Sequence, residues 1–169
     1  MTMTDTFDDT HDDVHPPGES EVGPTSRDWT LPLDNIEHGA VLEFRGRFIG
    51  MGTSHRDTHI NHDGKRYVER GISCSGCRWF ESRIFTSSDG RYLLYTVGES
   101  IVPGEEPRYR GEWLISPYEV IDALTTFRMA PDTGVRRASL SYAARRVLAQ
   151  AAHHDDDLRD AYEGRLSSL

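Results

Sequence analysis

Two strand-length runs stand on either side of Ser87-Ser-Asp-Gly90, and they constrain the fold more than anything else in this chain. Before the turn lies Arg78-Trp-Phe-Glu-Ser-Arg-Ile-Phe-Thr86, and after it Arg91-Tyr-Leu-Leu-Tyr-Thr-Val-Gly98. Aromatic and β-branched residues suit a pleated, half-buried surface, and Asp-Gly supplies a tight reversal. The pair predicts a β-hairpin. Residues 40–50 extend the pattern: Leu42, Phe44 and Phe48 share one parity, while Glu43, Arg45 and Arg47 share the other. That alternation is a strand with one face buried. Further strands are expected at 66–72 and 109–115, with Pro103-Gly104 as another turn. Residues 40–115 therefore read as an antiparallel meander of about five strands, an ordinary sheet size.

The hydrophobic period changes at Ser116. Ser116-Pro-Tyr-Glu119 combines an N-cap, a first-turn proline and the acid of a capping box. Val120, Ile121 and Leu124 continue it as a helix predicted to end near Phe127. After the turn Pro131-Asp-Thr-Gly134, the residues Leu140, Ala144, Val147, Leu148 and Ala151 define a second helix. His153-His-Asp-Asp-Asp157 interrupts the pattern, and Leu158, Ala161 and Tyr162 resume it, with Asp155 or Asp156 as a new N-cap. A sheet followed by two or three C-terminal helices is an α+β domain.

The chain of 169 residues suits one domain. Residues 1–28 hold eight acids and one arginine among prolines and glycines, with almost no aliphatics. Such a stretch buries too little apolar area to offset its ordering entropy, so an acidic disordered tail is expected there, ahead of a domain at 29–169. The acids of the tail and of 153–169 carry the net charge of −9; residues 29–152, with 15 acids and 16 bases, are close to neutral. A neutral body with acidic ends is a poor partner for a nucleic-acid backbone. No apolar run approaches the roughly 18 residues of a membrane span. Nothing at the N-terminus resembles a signal peptide, so a cytoplasmic location is expected.

Residues 55–77 gather three histidines and both cysteines. The spacing His59-x2-His62-x11-Cys74-x2-Cys77 offers two close pairs of nitrogen and sulfur ligands, the arrangement of a closed structural zinc site, with His55 as an alternative ligand. The competing reading makes Cys74 and Cys77 small buried residues leading into the strand that carries Trp79. Nucleotide-binding glycine motifs, nucleophile elbows and HExxH are missing. Glu81 and Glu99 fall on the predicted hairpin, where they can face one another.

The stretches Cys74-Ser-Gly-Cys-Arg-Trp-Phe-Glu-Ser-Arg-Ile-Phe85, Tyr95-Thr-Val-Gly-Glu-Ser-Ile-Val-Pro-Gly-Glu-Glu106 and Ser116-Pro-Tyr-Glu-Val120 resemble small proteins of actinobacteriophages and their actinobacterial hosts. The likeness covers about residues 40–165 and fits a composition of 18 arginines to one lysine. It implies a phage accessory product, and it gives no residue a role. The expected function is noncatalytic: binding of a host or phage protein, with no membrane and no nucleic-acid partner. Two other classes stay open. One is an acidic nucleic-acid mimic acting through the tail and the acids of 155–163. The other is a metal-dependent hydrolase or nuclease built on His55, His59 and His62 with Asp57 or Asp63 nearby.

Overall fold

A computed structural model describes residues 15–34, 40–54, 78–100, 104–129, 134 and 136–167. Five strands form one antiparallel sheet in the order β1-β2-β3-β4-β5: Ser26–Pro32, Val41–Thr53, Arg78–Ser87, Tyr92–Ser100 and Arg108–Leu114. Three helices follow, α1 (Pro117–Leu124), α2 (Tyr142–His154) and α3 (Asp156–Leu166). A two-stranded ribbon, β6 (Thr125–Met129) and β7 (Arg136–Leu140), separates α1 from α2. The α+β reading holds. The membership of the sheet differs from expectation, because its first strand is 26–32, while the strand expected at 66–72 lies outside the described residues.

The hairpin forms where the sequence places it, with Gly90 at φ 85°, a left-handed conformation that a glycine adopts without strain. The helix expected to reach Phe127 stops at Leu124, because Thr125 and Thr126 begin β6. Thr125 instead turns its hydroxyl back to the Ile121 carbonyl oxygen at 2.7 Å. The N-caps are as read: Ser116 accepts from the Glu119 amide, and Asp155 accepts from the Leu158 amide at 2.9 Å; the expected capping box is only half formed, because Glu119 Oε2 accepts from the Ile115 amide at 2.8 Å and not from that of Ser116.

The stretch 15–28 is not wholly a tail. Pro17 is buried, Glu19–Glu21 form a 3-10 turn, and β1 begins at Ser26. Polar anchors replace the missing aliphatics: the Gly23 amide donates to the Phe48 carbonyl oxygen at 2.8 Å, and Arg146 on α2 pairs with Glu19 at 3.0 Å. This strap runs beside β2 where β1 no longer pairs with it.

The two faces of the sheet pack differently. On the outer face, Ile49, Ile84, Tyr92, Leu94 and Leu114 meet the apolar sides of the three helices. A register shift between Phe48 and Gly50 is a β-bulge, which turns both Ile49 and Gly50 toward the helices. α2 lies so close to β2 that a Cβ on Gly52 would sit 2.3 Å from the Ala143 carbonyl oxygen. On the inner face, Trp29, Leu31, Phe48, Phe85, Leu93, Tyr95 and Val97 form a second core. The sheet curls around it. Phe44 on β2 meets Trp113 on β5 edge to face at 5.4 Å, and the Asp34 amide donates to the Tyr109 carbonyl oxygen at 3.0 Å.

Candidate functional site

The strand registers stack the inner-face side chains in rows, and their chemistry changes from one end of the sheet to the other. The row Phe48–Phe85–Leu93–Trp113 is apolar. The next, Met51–Arg83–Tyr95–Gly111, places a guanidinium and a phenol inside. Thr53–Glu81–Val97–Tyr109 adds a carboxylate, and Trp79 opposite Glu99 closes the series at the open end. Side chains two apart on a strand share a face, so one hairpin delivers Trp79, Glu81 and Arg83 from β3 and Tyr95 and Glu99 from β4.

Arg83 is the organising group. It is only 4% exposed, and such a charge needs partners. Its Nη2 donates to Glu81 Oε2 at 2.7 Å, and its Nε donates to the Pro17 carbonyl oxygen at 2.8 Å. Its Nη1 has no hydrogen-bond partner among the described residues. Glu81 also accepts from the Trp79 indole N–H at 3.2 Å, so this carboxylate fixes both the ring and the guanidinium. The Tyr95 hydroxyl donates to the Pro32 carbonyl oxygen at 2.6 Å, and its ring stacks on Tyr109 with centroids 6.5 Å apart.

Glu99 is different. It is half-buried, accepts no hydrogen bond among the described residues, and its carboxyl is held above the ordinary range. Burial is the main cause, the neighbouring Glu81 charge adds to it, and Arg83 opposes it. Burial also pushes the Tyr109 hydroxyl up, with the charges of Glu99 and Asp34 behind it. A carboxylate perturbed by desolvation inside a cleft is a recognised mark of a functional position.

The cleft itself holds about 790 Å³, within the usual range for ligand sites. Its walls include Asp34, Trp79, Phe80, Glu99, Glu105 and Arg108. Phe80 is 63% exposed at the rim. One wall is braced by Arg78, whose Nε donates to Glu105 Oε2 at 2.8 Å, while the Ser100 hydroxyl donates to the same oxygen at 2.6 Å. These contacts, Arg78 first, hold the Glu105 carboxyl down at about 2.

The zinc ligands expected from the sequence, His59, His62, Cys74 and Cys77, and the alternative His55, all lie outside the described residues. So do Asp57 and Asp63. Among the described residues, no group of three or more His, Cys, Asp and Glu side chains is placed to hold a metal ion. Glu81 and Glu99 do share a face, as neighbours on a diagonal; the residues directly opposite them are Val97 and Trp79. Arg83 carried no signal of its own, since an arginine on a parity that mixes Trp79 and Phe85 with Glu81 reads as solvated until the curl of the sheet is known. His153-His-Asp-Asp-Asp157 is a helix boundary: Asp155 caps α3, accepts from the Tyr92 hydroxyl at 3.0 Å and pairs with Arg47 at 3.3 Å.

No protein family, curated protein or solved structure matches this chain. No helix among the described residues is long and apolar enough to cross a membrane.

Proposed function

We propose that this chain is a noncatalytic accessory protein of the phage type, acting in the cytoplasm by binding another protein through the open end of its curled sheet. The observation that carries this reading is the cleft at that end, where Glu99 stands half-buried with no hydrogen bond among the described residues, opposite Trp79 on the neighbouring strand. Desolvating a carboxylate without a donor costs stability, and a binding partner that supplies the donor recovers that cost. The rest of the polar inner face is already organised: Glu81 and Arg83 are engaged with each other, and Arg83 with the strap. They hold Trp79 in place for recognition, and a rigid aromatic of this kind is a frequent anchor in protein interfaces.

Site-specific photo-crosslinking tests this. A photoreactive residue at Phe80, on the rim, is expected to capture a discrete partner from an actinobacterial extract, with the adduct lost when Glu99→Gln is added. The same residue at Leu166, exposed near the end of α3, should capture nothing discrete. Equal capture from both positions would remove the cleft from the reading.

The two ends of the 55–77 segment, at Ser54 and Arg78, leave the sheet at this same opening. A structural zinc held by His59, His62, Cys74 and Cys77, with His55 as substitute, would tie that segment down beside it. About one equivalent of zinc in the purified protein, lost together with thermal stability in Cys74→Ser, is the expected result.

A further inference from the structure

We propose that the β6–β7 ribbon is a nucleic-acid contact, whose outward face seats on the phosphate backbone of a DNA duplex. This surface is separate from the cleft and stands or falls without it.

The near-neutral charge of residues 29–152 is an average of two unlike parts. Residues 29–124 hold 14 acids and 11 bases, whereas 125–152 hold one acid, Asp132, and five arginines. Three of the five, Arg128, Arg136 and Arg137, belong to the ribbon, and neither of its strands contains a carboxylate. A fourth, Arg145, is exposed near the start of α2 with no ion pair among the described residues. Only Arg146 is matched, by Glu19.

The register gives this charge a surface. Thr125 and Leu140 stand opposite one another and are both buried, so their parity faces the body and the other parity faces away. Phe127, one step further out on the inward parity, is already 56% exposed, so the ribbon projects beyond the body. The outward face carries the register pairs Thr126–Ser139 and Arg128–Arg137. The two hydroxyls of the first pair lie 3.3 Å apart, and Thr126 is exposed. No third strand pairs with the ribbon among the described residues. Arginine opposite arginine works against such a pair, because like charges across a ladder are destabilising and two strands alone are marginal. An anion seated at that pair removes the conflict, and phosphate oxygens also accept from serine and threonine hydroxyls. The outward face has no apolar centre, which a protein interface needs, whereas interfaces with DNA are more polar and more positive. The major groove of DNA admits a two-stranded ribbon, while that of an RNA duplex is deep and narrow.

The test is fluorescence anisotropy of a short labelled DNA duplex of mixed sequence, titrated at low salt with the full chain. Saturable binding that weakens with salt is expected. Arg128→Gln combined with Arg137→Gln should weaken it roughly tenfold or more and lower the slope of log affinity on log salt by about two, one for each lost phosphate contact. Arg128→Lys combined with Arg137→Lys keeps the charge and should keep the slope. Arg45→Gln combined with Arg159→Gln removes the same charge from β2 and α3 and should change neither quantity. The glutamine pair in the ribbon should also melt no earlier than the parent, because it relieves an opposition of like charges. The proposal is overturned if no duplex binds at low salt, or if the Arg45 and Arg159 pair costs as much as the ribbon pair. Polyglutamate bound as tightly as the duplex would make the partner an acidic protein instead. An RNA duplex bound as tightly as DNA would remove the groove from the proposal. Early melting of the glutamine pair would assign the two arginines to folding.

Discussion

The two faces of the five-stranded sheet are made by alternate residues of the same strands, yet they solve opposite problems. The outer face is closed where the helices cross it, and only its end at Phe80 is left open among the described residues. Ile84 and Leu94 meet Val120, Ile121, Val147 and Leu148, and Gly50 and Gly52 let the α2 backbone approach where any side chain would intrude. The inner face is apolar only at one end. There Trp29, Phe48 and Phe85 pack at centroid distances of 4.7 to 5.9 Å, each such pair adding about 0.5–1.5 kcal/mol beyond its buried area. At the other end it buries Arg83 and leaves Glu99 without a donor among the described residues. A face that only needed to fold would continue its apolar rows to the edge. The departure from that pattern is what the proposed binding site would account for.

Breaking the polar half of the inner face is expected to give the largest effect. Arg83→Ala leaves Glu81 without its guanidinium partner and the Pro17 carbonyl oxygen without its donor. Loss of one member of a buried ion pair costs about 3–5 kcal/mol, and chemical denaturation should show a fall of about 4 kcal/mol. The outer face comes next. A Cβ on Gly52 would lie 2.3 Å from the Ala143 carbonyl oxygen and 2.9 Å from the Val147 amide nitrogen, both backbone atoms. Gly52→Ala should therefore push α2 off the sheet, and a loss of about 2–3 kcal/mol in the same assay is expected. If Gly52→Ala proves neutral, the closeness of the outer face is not what holds α2.

Most of the fold was legible, and the parts that were not have physical reasons. Alternation exposed β2, and Asp89-Gly90 exposed the β3–β4 hairpin, because both signals are local. The caps at Ser116 and Asp155 were legible for the same reason. β1 was missed because Ser26, Arg27 and Asp28 are polar; it is fixed by pairing with β2 and by the Trp29 indole N–H donating to the Gly46 carbonyl oxygen at 2.9 Å, neither of which is local. β6 was missed because the apolar residues of α1 run on into Phe127 without a break in period. At the site, the shared face of Glu81 and Glu99 followed from strand parity. The burial of Arg83 did not, since it depends on the curl that brings Phe44 to Trp113 and on a strap that crosses from residue 17.

A third substitution probes the joint between the sheet and the helices. Asp155 caps α3 through the Leu158 amide, accepts the Tyr92 hydroxyl and pairs with Arg47, which also donates to the His154 carbonyl oxygen at 3.0 Å. Asp155→Ala should cost about 2 kcal/mol, the upper end for a lost N-cap because Tyr92 loses its acceptor as well. Asp155→Asn keeps the cap and should recover about half of that. Full loss in the asparagine variant would assign the effect to the Arg47 charge pair instead.

Glu99→Gln is expected to have the smallest effect on stability, and its sign is opposite to the others. The Glu99 carboxyl is raised in the folded chain by burial and by Glu81. A raised carboxyl is favourable to folding while it is protonated, and that advantage is lost as pH rises from the unfolded value through the folded one. Above that window the folded chain carries an ionised, poorly solvated Glu99, and glutamine removes that burden while keeping the shape. The variant should match the parent at about pH 4 and be slightly more stable at about pH 7. Taking the difference between the two proteins at each pH cancels the groups that do not interact with Glu99, while Glu81 and Tyr109, whose charges are coupled to it, remain part of what the difference reports. A residue that destabilises its own fold in this way is retained for something other than folding. If Glu99→Gln is instead less stable at neutral pH, Glu99 is a structural acceptor, the inner face serves folding as fully as the outer, and the contrast between the two faces disappears.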